Sequence, residues 1–179
     1  CVAQLVTELV NELGGELLAQ HPGLHIQFGL HATSVRNQLE IIRQVEEDRK
    51  NLEALVGYEV VGMAYPGGGV NFTEHAAKLI EERTGVKYAR TISDTNNFDV
   101  QEDLLQYHPT VYHLNFEKMM ALGQAFIELK PEKPQVFYIW GHSYEMDYSE
   151  DYWLQLEEFF KLISNREDIF YGTNKEVLL

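Results

Sequence analysis

Hydrophobic positions along this chain alternate between a period near 3.6 and a period near two, with short polar or glycine-rich breaks between them. Val2, Leu5, Val6, Leu9, Val10 and Leu13 recur at helical spacing before Gly14-Gly15, which predicts an opening helix capped by glycine. His21-Pro22-Gly23 turns the chain, and Ile26, Phe28 and Leu30 then alternate with His25, Gln27, Gly29 and His31 as in a strand. The longest helix is expected over 39–56, with Leu39, Ile42, Val45, Leu52, Leu55 and Val56 on its apolar side and Gly57 ending it. Its run Glu46-Glu47-Asp48-Arg49-Lys50 reads as a solvated face.

The second half repeats the alternation. A strand is predicted over 60–65, followed by the loop Pro66-Gly67-Gly68-Gly69. Asn71 and Glu74 resemble a capping box for a helix over 72–84. Strand 86–92 carries Arg90 near its end and leads into the turn-rich loop 93–99. Segment 107–113 is ambiguous, with polar and aromatic residues mixed. A helix over 117–129, the stiff connector Lys130-Pro131-Glu132-Lys133-Pro134 and the apolar run Val136-Phe137-Tyr138-Ile139-Trp140 follow. That run ends in Gly141-His142, the form of a buried strand delivering a histidine to a sheet rim. Ser149 is expected to cap a helix over 150–164, with Trp153, Leu156, Phe159, Phe160 and Ile163 facing the core. A last strand over 168–172 and a short tail close the pattern.

Strands alternating with helices predict a mostly parallel α/β sheet joined by right-handed crossovers. Parallel strands bring their carboxyl ends to one rim, where chemistry concentrates in such folds. Five strand ends then converge: His31, Tyr65-Pro66-Gly67, Arg90, His142 and Thr173-Asn174. His25 and His31 stand about 20 Å apart on an extended chain and cannot share one metal.

Length and composition narrow the partners. The 179 residues suit a single domain spanning 1–179, and 45% hydrophobic against 23% charged content describes a globular chain. A net charge of −14, with no Lys/Arg cluster, argues against nucleic acid. No apolar run reaches the ~20 residues of a membrane span. Cys1 is the sole cysteine, so neither an internal disulfide nor a cysteine zinc site is available. Without a signal peptide or disulfide in view, a cytoplasmic location is favoured. The glycine loop after strand 60–65 lacks the Gly-Lys-Ser/Thr of a P-loop.

The chain resembles the polysaccharide deacetylase (NodB-homology) family over about Glu40 to Asn174. The likeness rests on a long helix ending Leu52-Glu53-Ala54-Leu55-Val56-Gly57, on Ala64-Tyr65-Pro66-Gly67-Gly68, on Tyr88-Ala89-Arg90-Thr91, on Asn97-Phe98-Asp99 and on Trp140-Gly141-His142-Ser143-Tyr144-Glu145. The last stretch is similar to that of a compact bacterial subgroup. The resemblance implies a deformed or incomplete (β/α) barrel, and removal of acetyl groups from a carbohydrate or small amide. It also implies a divalent metal, zinc above all, whose bound water attacks the acetyl carbonyl. His142 takes the place of the acid that protonates the leaving amine, and His31 that of a metal ligand. Tyr65, Pro66, Gly67, Arg90 and Trp140 fall where substrate is bound.

The sequence departs from the family in its metal motif. It contains no Asp-Asp-Gly, and Val35 stands where a second metal histidine is expected. The interval from His31 to Glu40 is a few residues short. The start at Cys1 and these gaps favour further residues that complete the site, including the strand that carries the metal motif. The alternative is a carbohydrate-binding relative with a degraded site. A homo-oligomer whose rim is vestigial, and a fold in which His31 and His142 only bond to neighbouring backbone, remain as readings.

Overall fold

The computed structural model describes residues 3–7, 35–67 and 72–179, with 3–7 and 35–36 described by their main chain. The elements in order are β1 (Ala3–Thr7), α1 (Val35–Val56), β2 (Gly62–Ala64), α2 (Glu74–Arg83), β3 (Tyr88–Arg90), β4 (Val111–Tyr112), α3 (Phe116–Glu128), β5 (Gln135–Trp140), α4 (Glu150–Ile163), β6 (Ile169–Tyr171) and α5 (Asn174–Leu178). Two 3-10 turns, Leu104–Gln106 and Ser143–Tyr148, lie between β3 and β4 and between β5 and α4.

Every pairing between named strands is parallel. Four strands pair in the order β4-β5-β1-β6, and β2 pairs with β3. A parallel bridge from Arg90 to Tyr107 joins the two groups. Main-chain bonds from Thr91 N to Tyr107 O (2.9 Å) and from Tyr107 N to Ala89 O (3.0 Å) secure that joint. The class is mixed α/β, and among the described residues the strands close no barrel.

β5 explains why the sheet is buried on both faces. Phe137 and Ile139 face one way and pack with Met119 and Phe126 of α3, Phe159 and Ile163 of α4, and Ile169 of β6. Val136 and Tyr138 face the other way, against Tyr107, with Val177 and Leu178 of α5 packed beside them. A period-two strand with apolar residues on both faces reads as a continuous hydrophobic run. A second core gathers Ile41 and Val45 of α1, Ala76, Ala77 and Ile80 of α2, and Tyr65, Val86, Ala89 and Leu105.

Several expectations are corrected. Residues 3–7 form a strand, not part of a helix, between β5 and β6. Leu5 and Val6 do fit helical spacing, but β-branched Val6 and Thr7 suit a strand, and two flanking strands supply both hydrogen-bond ladders. The buried face of α1 is set by Ile41 and Val45, whereas Leu39, Leu55 and Val56 are exposed. Gly57 does end that helix, at φ +77°.

The charged run of α1 is not simply a solvated face. Arg49 is largely covered; it meets Glu46 at 2.6 Å, and Glu46 accepts from Gly85 N at 3.1 Å. Glu53 accepts from Val60 N at 3.0 Å, so these carboxylates cap loops that would otherwise leave N–H groups unmet. The cap of α2 is Thr73, whose hydroxyl accepts from Ala76 N at 3.1 Å. Ser149 caps α4 as expected, but Trp153 of that helix is exposed rather than in the core. Residues beyond Thr173 form α5, closed by a Thr173–Glu176 capping box, where a tail was expected. The predicted strand ending at His31, the glycines Gly68 and Gly69 and the Asn71 cap lie outside the described residues.

Candidate functional site at the carboxyl rim

Parallel pairing places the carboxyl ends of β3, β4 and β5 on one rim. Register aligns Val111 with Ile139 and Tyr112 with Trp140, so the residues just beyond, His113 and Gly141-His142, emerge side by side. His113 N donates to Trp140 O at 2.8 Å and fixes that alignment.

Trp140 is held on two sides. Its indole Nε1–H donates to Asp94 Oδ1 at 2.6 Å, and the Arg90 guanidinium carbon lies 4.9 Å from its ring centroid. Asp94 uses its other oxygen to accept from Tyr112 N at 3.1 Å, tying the loop after β3 to β4. Arg90 is 6% exposed and donates to Thr91 O at 2.9 Å. A buried guanidinium over an indole face gains from the ring quadrupole where water cannot compete.

His142 follows directly. Its ring is half-buried, 6.5 Å from Trp140 edge-on and 5.3 Å from Tyr144 in a stacked arrangement. Tyr144 is itself exposed, as is Tyr148, whose ring is 6.0 Å further on.

Beneath His142 lies a buried polar hub. Glu145, on the 3-10 turn, accepts from Tyr112 Oη–H, from His113 Nε2 at 2.7 Å and from His142 N at 3.0 Å. Burial raises the carboxyl of Glu145, but the bonds from Tyr112, His113 and His142 outweigh it, so its pKa lies below the usual value. Burial lowers His113, against the pull of Glu145, so at neutral pH the contact joins a neutral imidazole to a carboxylate. The Nε2 proton then points to Glu145, and the main-chain N–H of His142 is satisfied by the carboxylate rather than by the ring nitrogen 3.3 Å away. Burial, with Glu145 as hydrogen-bond acceptor, raises the Tyr112 phenol.

Gly141 is required by this packing. A Cβ there would stand 2.0 Å from His113 Cδ2, inside the ring's own space. The glycine of Trp-Gly-His therefore serves a close approach of side chain to main chain.

Of the residues singled out in the sequence, Arg90, Trp140 and His142 come together in a line of contacts. Tyr65 joins it through its main chain, donating N–H to Arg90 O at 3.0 Å. Its side chain turns into the second core instead: the ring stacks on Phe72 at 4.2 Å and the hydroxyl donates to Leu105 O at 2.8 Å. Burial, and Asp103 secondarily, push that phenol well above its ordinary value. Pro66 and Gly67 follow on the loop, Gly67 exposed at φ +80°. His31 lies outside the described residues.

Asp94, Tyr112, His113 and Glu145 were not singled out by their sequence. The available signal was the glutamate three residues after His142, the spacing by which a side chain reaches back to a main-chain N–H. Among the described residues, no group of three or more His, Cys, Asp or Glu side chains is placed to hold a metal ion. Nor is any described helix long and apolar enough to cross a membrane. Comparison of the chain with protein-family models, curated proteins and solved structures found no match.

Proposed function

We propose that the protein is a carbohydrate or amide deacetylase-type hydrolase of the polysaccharide deacetylase kind, built on an incomplete (β/α) barrel, with His142 as the acid that protonates the leaving nitrogen. The observation that carries this reading is the placement of His142. A half-buried imidazole stands at the carboxyl end of β5, its main chain held by Glu145 and its ring next to Trp140. A general acid has to be reachable by substrate yet held in a fixed position, and this rim meets both needs. Trp140, braced by Asp94 and Arg90, gives a rigid flat surface beside it for an acetyl methyl or a sugar face. Parallel strands with α3 and α4 against one face of β5 are the strand–helix unit from which an incomplete barrel of this kind would be built.

The divalent metal belongs to this proposal through His31. The described residues supply no ligand set that fits it, and the steps assigned here to the chain's own residues do not run through it. What they supply is the acid, its support and a bounding wall.

One observation favours a second reading, a binding relative without catalysis. The Asp-Asp-Gly motif is missing from the sequence, while Tyr144 and Tyr148 expose aromatic faces next to His142, as sugar stacking requires. Acetate release from an acetylated oligosaccharide, measured with and without added zinc, separates the two. Metal-dependent release supports the hydrolase. Binding of the oligosaccharide with no release under either condition overturns it in favour of the binding relative.

A further inference from the structure

We propose that Glu145 is a positioning residue that fixes His142 through its main chain, not through its imidazole. The inference rests on the deacetylase reading for its kinetic consequence, but its structural content stands apart from it.

The sequence brings Glu145 to the site by a local device. It lies in the 3-10 turn Ser143–Tyr148, three residues beyond His142, and its carboxylate folds back to accept the His142 N–H at 3.0 Å. Such a reach alone would be a common capping contact. Two further donors from β4 and its end change its weight. Tyr112 Oη–H and His113 Nε2, 33 and 32 residues earlier, bind the same carboxylate. One buried carboxylate therefore couples the ends of two strands to the main chain that presents the histidine.

His113 tightens the coupling from below. Its N–H holds Trp140 O at 2.8 Å, and its ring fills the space over Gly141. The three residues Trp140, Gly141 and His142 are thus held at a carbonyl, at a Cα and at an N–H, each by a group within the hub. The His142 side chain leaves the hub and stacks on exposed Tyr144. The Glu145 carboxylate makes no hydrogen bond to the His142 ring, which the turn meets instead through the Glu145 main-chain N–H of the capping box. Its effect on chemistry is through placement, to which catalysis is sensitive: about 1 Å of error can cost about 10²-fold in rate.

Glu145→Gln tests this. The side-chain size is kept, but the charge is lost. The His142 N–H and His113 Nε2, which share one carboxylate oxygen, then meet a neutral and weaker amide acceptor, and Tyr112 must turn its hydroxyl to accept from the NH2. The primary readout is independent of activity: the His142 main-chain amide in nitrogen–proton correlation spectra, with its hydrogen-exchange rate. The second is kcat and KM for acetate release, where the wild type releases it. In Glu145→Gln, the His142 amide proton is expected to shift upfield and exchange about tenfold or more faster, while the amides of Phe137 and Ile139 stay unchanged. With activity present, kcat falls by about 10–10²-fold and KM holds. Glu145→Asp, which keeps the charge on a shorter arm, restores part of both effects. An unmoved His142 amide in Glu145→Gln overturns the proposal. So does a His142 amide that moves while kcat equals that of wild type. A wild type without acetate release defeats the deacetylase reading instead, and the amide measurement then decides the positioning claim alone. Should Glu145→Gln lose its fold, His113→Asn, which removes one donor and leaves the carboxylate, carries the same amide prediction at smaller size.

Discussion

The Arg90 guanidinium carbon sits 4.9 Å above the Trp140 ring, and the same indole donates to Asp94 on its edge. One residue of β5 is thereby clamped by a cation from β3 and an anion from the loop that follows β3. Trp140→Phe keeps the face for Arg90 but loses the N–H to Asp94. The expected cost is about 1 kcal/mol, because Asp94 is half-buried and water can replace the bond in part. Urea midpoints of the two proteins check it. Arg90→Met combined with Trp140→Leu, which removes the ring, completes a double-mutant cycle, and a coupling near zero would show that the stacking contributes nothing.

Gly141→Ala probes the seat of His113. The added Cβ would stand 2.0 Å from His113 Cδ2, so the imidazole must leave its place. Overpacking of this kind costs about 1–3 kcal/mol, and here the hydrogen bond to Glu145 goes with it. The expected result is a lower urea midpoint and a His113 ring whose proton shifts resemble those of an exposed histidine. Native stability with an unchanged His113 signal would contradict the packing.

The hub also sets an acid limb in stability. Glu145 is held below its ordinary 4.5, since its donors outweigh burial; its contribution is present above the unfolded value and is lost as pH falls through the folded one. His113 is held below 6.5 mainly by burial, so below that value the unfolded chain binds the proton more readily and stability again falls. Both signs agree. Urea midpoints between about pH 8 and pH 4 should decline in two stages, the first starting near pH 6.5. His113→Asn should remove the first stage and keep the second.

Phe159 is fully buried between α3, α4 and β5, edge-on to Phe137 at 5.8 Å. Phe159→Ala is expected to cost about 3–5 kcal/mol in urea unfolding. A loss below 1 kcal/mol would mean that the α4 face is not packed as described.

How far the sequence foretold these relationships depends on how local each one is. β5 was legible because both its faces are apolar and Gly141-His142 ends it abruptly. α3 and α4 were legible because their apolar spacing is helical and Ser149 is a ready cap. The strand at Ala3–Thr7 was not, since Leu5 and Val6 fit a helical stripe equally well and only neighbours β5 and β6 decide between the two. Residues of α1 were misassigned for a related reason: its apolar positions outnumber those that find a partner, and Leu39 stays exposed while Ile41 is buried. The rim followed from strand alternation, which brings Arg90, Trp140 and His142 together. The hub beneath it did not, because it depends on the β4–β5 register that sets His113 against Gly141 across 28 residues of sequence. Segment 107–113 was ambiguous in sequence for the same reason: its strand character exists only through Ala89, Tyr138 and Trp140.

The most direct measurement compares wild type and His142→Ala in one experiment: the rise in melting temperature on adding zinc, and acetate release from an acetylated oligosaccharide under the same conditions. Anything that binds only the folded state raises stability, so the melting shift reports metal uptake without reference to turnover. Equal zinc-induced shifts are expected in the two proteins, with a release rate lower by about 10²–10⁴-fold in His142→Ala, the range typical of a lost general acid. Equal release rates in the two proteins would contradict His142 as that acid.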